Sequence, residues 1–262
     1  MNKPVFSKNK FNTNKGPKFK RLFFDIETSY NIVSSWNVGY ELNISPDNII
    51  KERAIICICY KWEDESKIHE LHWDKGDDKQ MLIKFSKIIN GADEIIGHNG
   101  DNFDIKWLRT RCLFHSIDVF PDYQTVDTLK LSRGNFKFNS NKLDYIAKLL
   151  GLGGKMETGG LKLWDDIILR NNKTSLTKMI DYCKKDVLIL EQVFKRLNPY
   201  VKSKTHVAVL EGGNRCSCPN CSSTKLQKRG TSVTASGLIK QRLQCQDCGK
   251  YTSIPSKLFE KK

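Results

Sequence analysis

Asp25 and Glu27 stand two residues apart in KRLFFDIE, residues 20–27. Successive side chains of a strand point to opposite faces, so this spacing puts both carboxylates on one side. A strand otherwise written in Leu, Phe and Ile is a costly place for two charges unless something compensates them. Tyr182 and Asp186 lie four apart in a segment of helical periodicity, which makes them neighbours on one helix face. Asp104 opens another helical stretch, just after His98, Asn99 and Phe103. Carboxylates are hard oxygen donors that suit Mg2+ or Mn2+. Several of them converging on two divalent ions about 3.5–4 Å apart would serve phosphodiester hydrolysis. A phenol of pKa about 10 beside them would orient water at neutral pH rather than act as a strong base.

A second chemistry is written in sulfur. Cys218-Pro-Asn-Cys221 and Cys245-Gln-Asp-Cys248 are two C-x-x-C knuckles, the second followed by Gly249. Two such pairs are the donor set of a tetrahedral structural Zn2+ site, and Cys216 is an alternative donor that could replace Cys218. Four thiolates leave no open coordination position, so this zinc is expected to hold the fold rather than react. Cys57, Cys59, Cys112 and Cys183 sit in apolar surroundings and are expected to be core thiols.

The elements that must position these groups follow from periodicity. Residues 20–27 read as a strand with Leu22, Phe24 and Ile26 on the face opposite the two acids. Residues 53–62 and 67–73 read as two further strands, together forming a meander. Helical spacing covers 78–90, 101–115, 140–150 and 175–197, and a short strand covers 93–98. Ser140 or Asn141 is the expected cap of the third helix, and Gly151 its stop. Residues 151–160 are expected to be a loop, and 200–214 a linker or short strand. The chain thus divides into a basic arm (1–18), a main domain (19–199), the linker and a cysteine unit (215–262).

The net charge of +15 is uneven, with +7 on residues 1–21, +11 on 195–262 and −3 between them. Basic ends around a mildly acidic centre suit a polyanion held over a metal-binding site. No apolar run reaches the roughly 20 residues that span a bilayer, and the polar, lysine-rich start is not a secretory signal. No membrane association is expected, and a cytoplasmic location is. Asp127 in TVDTLKL is a further acid in a strand-like setting, a candidate supporting residue. Lys142, Lys184 and Lys185 are candidates for phosphate contact. His69, His72, His115 and His206 read as strand or surface residues.

FFDIETS (23–29), HNGDNFDIKWL (98–108) and YCKKDV (182–187) resemble, in order, the D-x-E, N-x-x-x-F-D and Y-x-x-x-D motifs of DEDD exonucleases. Residue 181 is Asp rather than the histidine of the DEDDh class, so the resemblance is to the DEDDy type. It implies a ribonuclease H-like α/β fold, a mixed five-stranded sheet flanked by helices, with the cysteine unit resembling a small C-terminal zinc ribbon. It also implies 3′-to-5′ hydrolysis of single-stranded nucleic acid, DNA slightly favoured over RNA, to nucleoside monophosphates. Two Mg2+ or Mn2+ would be held by Asp25, Glu27, Asp104 and Asp186, and Tyr182 would hydrogen-bond the attacking water. His98, Asn99 and Phe103 would meet the substrate. With no polymerase segment after the motifs, proofreading would be in trans, beside a polymerase or other replication or repair protein. The alternatives are a transposase- or endonuclease-like nuclease of the same fold, or a non-catalytic nucleic-acid-binding adaptor.

Overall fold

The computed structural model describes residues 18–119, 122–154, 156–157 and 159–259. Most of the basic arm lies outside them. The chain divides into two compact units, Lys20–Val201 and Lys202 onward with residues 18 and 19.

In the first unit, β1 (Arg21–Thr28) is followed by a small hairpin, β2 (Ile32–Val33) with β3 (Ile49–Lys51). Then come β4 (Ile55–Trp62), β5 (His69–His72), α1 (Lys79–Ile89), β6 (Glu94–Gly97) and α2 (Asp104–Phe114). The unit continues with β7 (Gln124–Asp127), α3 (Thr128–Asn135), α4 (Leu143–Leu149), α5 (Leu161–Ile168) and α6 (Lys173–Leu197). The sheet order is β5-β4-β1-β6-β7. The first three strands pair antiparallel, as a meander must, and β6 and β7 add parallel to β1. This is the mixed five-stranded, helix-flanked sheet of a ribonuclease H-like fold.

Alternation along β1 sorts its side chains between two cores. Leu22, Phe24 and Ile26 pack with Met81, Leu82 and Phe85 of α1 and with Ile105 and Leu108 of α2. On the other face Phe23 packs with Cys57, Cys59 and the apolar stripe of α6, including Cys183, Val187, Leu190 and Phe194. Asp25 and Glu27 share that second face and so look toward α6, the 25-residue helix that covers it. A register shift between Glu27 and Thr28 bulges β1 just beyond the second acid, a device that re-aims a strand at its end.

Buried ion pairs fix the layers. Asp78 is fully buried and receives both Arg111 Nε and Nη2 at 2.8 Å, the Ile55 amide at 3.0 Å and His115 at 2.7 Å. It ties the start of β4 and the residue preceding α1 to the last turn of α2. Lys61 of β4 meets Glu191 of α6 at 2.7 Å, and Lys195 reaches the same carboxylate from one turn on.

The expected elements are present, with shifts that have local causes. Asn172, not a residue nearer Ser175, caps α6, accepting from the Ser175 amide at 3.0 Å, so that helix starts at Lys173. Neither Ser140 nor Asn141 is the N-cap of α4. Lys142 holds that position without a side-chain bond, and Ser140 Oγ closes a turn onto the Lys142 amide. Helix α5 and the β2–β3 hairpin were not foreseen. Residues 207–210, within the expected linker or strand, are a helical turn, α7 (Val207–Leu210).

In the second unit, β8 (Leu226–Val233), β9 (Ile239–Cys245) and β10 (Tyr251–Pro255) form an antiparallel sheet of order β10-β9-β8, closed by α8 (Ser256–Phe259). Its apolar core is small, with Cys216, Leu243 and Ile254 buried and Leu226 against them. Such a core needs a staple.

Candidate active site

Strand β1 and helix α6 bring three acids together. One carboxylate oxygen each from Asp25, Glu27 and Asp186 lies within 4.8 Å of the others. Asp186 is 3% exposed, and Asp25 and Glu27 are half-buried. Three like charges at this separation repel, and a divalent cation among oxygen donors resolves the repulsion, so the donor set fits Mg2+ or Mn2+. Below them Cys183 donates its thiol to the Asp25 carbonyl at 3.4 Å and lies 3.7 Å from Asp25 Oδ2. Burial pushes the Cys183 thiol well up, which keeps it a donor. Tyr182 stands one turn before Asp186 on α6, half-buried at the edge of the apolar stripe, and Asp181 is exposed.

Asp104 stands apart from that trio. It is the first residue of α2, 2% exposed, and accepts the Ile26 amide at 3.1 Å. That bond lashes the start of α2 to the stretch of β1 between the two acids. The loop leading to Asp104 is tight. A Cβ on Gly97 would come within 3.0 Å of the Gly100 backbone, and Asn99 takes φ +65°, a conformation asparagine tolerates better than most residues. Phe103, at the N-cap of α2, packs against the core of α1 and α2.

His98 is a strut in this geometry. Its Nδ1 meets Thr128 Oγ1 at 2.9 Å and its Nε2 the Asn141 carbonyl at 3.0 Å, so both ring nitrogens face protein groups. The loop has a second anchor in Asp127. Its Oδ1 accepts the Asn99 amide at 2.9 Å while capping α3 through the Leu129 and Lys130 amides. Two roles on one buried carboxylate explain an acid at the end of a strand. Lys184 pairs with Glu70 of β5.

The profile of the RNase H superfamily matches residues 50–198, more than half of the chain. The chain belongs to the RNase H superfamily. The matched span holds Asp104, Tyr182 and Asp186, and Asp25 and Glu27 lie just before it. A DNA polymerase of Thermococcus hydrothermalis is 31% identical over 106 residues, 36% of this chain and 5% of that protein. A DNA polymerase of Methanocaldococcus jannaschii is 27% identical over 129 residues, 47% of this chain and 7% of that protein. The chain thus spans a small fraction of the curated relatives it matches. The family B DNA polymerase from Pyrobaculum calidifontis superposes with a TM-score of 0.55 at 15% identity, over 84% of this chain and 31% of that one. That likeness is one of fold.

In this RNase H-superfamily chain a cleft of about 430 Å³ adjoins Glu27, lined also by Tyr30, Arg53, Leu161 and Trp164. Helix α5 builds its far wall. Trp164 donates its indole N–H to the Thr28 carbonyl at 3.0 Å, and Tyr30 gives its hydroxyl to Asp165 at 2.7 Å. None of these wall residues was expected from the sequence. Their one signal was the amphipathic LKLWDDII after the glycine run.

The second metal candidate lies in the other unit. Cys218, Cys221, Cys245 and Cys248 offer sulfurs within 4.8 Å of one another, with Cys218 and Cys248 3.6 Å apart and Cys221 and Cys245 also 3.6 Å apart. A disulfide needs about 2.05 Å. Tetrahedral Zn2+ with bonds of about 2.3 Å places its sulfurs roughly 3.8 Å apart, so the set fits zinc. Burial opposes ionisation of Cys245, yet the Cys248 and Asp247 amides aimed at its sulfur draw it down to about 7. Cys216, the alternative donor, lies outside the cluster and turns its thiol to the Leu258 carbonyl at 3.5 Å.

Proposed function

We propose that the chain is a DEDDy-type 3′-to-5′ exonuclease that hydrolyses single-stranded DNA or RNA to nucleoside monophosphates. The observation that carries this reading is the convergence of Asp25, Glu27 and Asp186 within 4.8 Å, on the face of β1 covered by the helix that bears Tyr182.

Asp25, Glu27 and Asp186 would hold Mg2+ or Mn2+, with Asp104 completing the set through water while its other bond fixes α2 to β1. The ions would supply positive charge to the scissile phosphate and acidify the attacking water. The Tyr182 hydroxyl orients that water by a hydrogen bond. Asn99, held by Asp127, and the cleft beside Glu27 receive the terminal nucleotide, its base against Trp164 and Tyr30. His98 serves by holding the Asn99 loop in place. Zn2+ on the four cysteines is a staple of the second unit. The kinship with DNA polymerases supports DNA over RNA and an action beside a polymerase or another replication or repair protein.

Degradation of 5′-labelled single-stranded DNA and RNA with Mg2+ or Mn2+ tests the reading. A ladder shortening one nucleotide at a time from the 3′ end, absent in Asp25→Ala, is expected. Cleavage of circular single strands, or full activity in Asp25→Ala, overturns it.

A further inference from the structure

The three-stranded sheet of the second unit has two unlike faces. Leu243 and Ile254 turn inward to the small core, so their neighbours along β9 and β10 turn outward. On the outward face Lys240, Arg242 and Gln244 run along the central strand. Cross-strand register puts Ser253 opposite Arg242, and Tyr251 and Gln227 on either side of Gln244. Arg229 joins them, donating from Nε to Gln244 Oε1 at 2.9 Å. Arg242, Arg229 and Tyr251 are exposed, the tyrosine at 57%.

Among the described residues no acid stands on this face. The described residues of the unit contain two, Glu211 and Asp247. Glu211 is taken by the Phe19 amide and Ser222 Oγ, and Asp247, in the knuckle turn past β9, by Ser223 Oγ and Lys225. Among the described residues Arg229, Lys240 and Arg242 make no ion pair with an acid. A strip of three cations, spaced by amides and hydroxyls and ended by an exposed aromatic ring, is complementary to a phosphate backbone with an unstacked base. Glutamine and serine add neutral hydrogen bonds of the kind that phosphate and sugar oxygens accept.

We propose that this face binds single-stranded nucleic acid, Arg229, Lys240 and Arg242 each neutralising a backbone phosphate and Tyr251 stacking on a base. The assignment does not depend on whether the carboxylate centre cuts. An acidic protein is the competing occupant, and it would offer Tyr251 no base to stack on.

The test is binding of a labelled single-stranded oligonucleotide to the full chain by fluorescence anisotropy, without Mg2+ or Mn2+, across a salt series. Each phosphate neutralised on a single strand contributes about 0.7 to the slope of log affinity against log salt. The triple variant Arg229→Gln, Lys240→Gln, Arg242→Gln should therefore lower the slope by about 2. Between 50 and 200 mM salt, wild type should lose roughly 20-fold more affinity than the variant. A control triple, Lys202→Gln, Lys204→Gln, Lys257→Gln, removes equal charge elsewhere and should leave most of the slope in place. Tyr251→Ala should weaken binding roughly tenfold, with Tyr251→Phe restoring it, because stacking needs the ring and not the hydroxyl. Zinc content and melting temperature, measured on each variant, separate loss of contact from loss of fold. An unchanged slope, equal losses in the two triples, or a Tyr251→Ala that binds as wild type overturns the proposal. Binding intact in a chain that cuts nothing would refute the exonuclease reading alone.

Discussion

Replacing Asp25 by Asn should stabilise the ion-free protein while abolishing its response to metal. The Asp25 carboxylate takes part in two like-charge pairs, with Glu27 and Asp186, at separations within 4.8 Å. At that distance one pair costs about 0.9 kcal/mol at the dielectric of water and about 3.5 kcal/mol at an effective dielectric of 20. Asp186 is 3% exposed, but Asp25 and Glu27 are half-buried, so water can enter between the acids when no ion is bound and the lower figure is the conservative one. Two pairs, less screening by salt, leave about 1–2 kcal/mol of repulsion that the amide removes. For a domain of this size the ion-free melting temperature should rise by about 2–8 °C. Adding Mg2+ or Mn2+ reverses the comparison. Wild type gains about 2.7 kcal/mol when the ion stands 100-fold above its Kd, and the variant gains much less because a ligand is gone. Scanning calorimetry with and without the ion reads both effects, with ion-free samples made by omission so that chelator does not strip the cysteine site. If Asp25→Asn melts below wild type without the ion and gains as much on adding it, the three acids are no metal centre.

Tyr182→Phe keeps the ring that borders the α6 stripe and loses only the hydroxyl. Turnover should fall by about 100-fold in a single-turnover cleavage assay, with the metal-dependent rise in melting temperature unchanged. Elemental analysis should return about one zinc per chain, lost together in Cys218→Ser, Cys221→Ser and retained in Cys216→Ser, whose thiol faces Leu258 instead. Arg111→Met leaves Asp78, fully buried, without its bidentate partner and should cost about 3–5 kcal/mol at neutral pH, read by urea titration. Burial alone would raise the Asp78 carboxyl, but Arg111, the Ile55 amide and His115 together hold it below its usual value. In wild type that contribution is complete above about pH 4 and fades as pH falls through the lowered value. The gap to Arg111→Met should therefore be widest near neutrality and narrow in acid.

The legible parts of the molecule are those where chemistry dictates residue type. Asp25, Glu27 and Asp186 could be named because three segments resemble the DEDD motifs in order. The spacing of two on a strand recurs by chance and would not have singled them out alone, and the fold brings the three acids within 4.8 Å of one another. The four knuckle cysteines were legible from their paired C-x-x-C spacing. What the sequence hid is the support. Helix α5 has eight residues and starts after two glycines without a side-chain cap, so its amphipathic spacing is its one signal, and the hydrogen bond from Trp164 to the Thr28 carbonyl shows only in the fold. Strand β7 has four residues and ends on Asp127, a candidate supporting acid in the sequence, but that it supports the Asn99 amide shows only in the fold. His98 was expected near the substrate because it adjoins a motif residue. What the sequence does not show is that its two nitrogens meet Thr128 and Asn141, 30 and 43 residues away in sequence.

That pattern has a physical cause. A metal ligand must be one of a few residue types at a set spacing, whereas a strut can be any donor that happens to arrive from a distant segment. Spacing therefore marks candidate ligands. The groups that aim them become visible only when chain segments far apart in sequence are folded together. Asp104 belongs to both kinds, since its type is that of a candidate ligand and its bond to the Ile26 amide ties the start of α2 to β1. That bond commits one of its oxygens to the backbone between the two β1 acids.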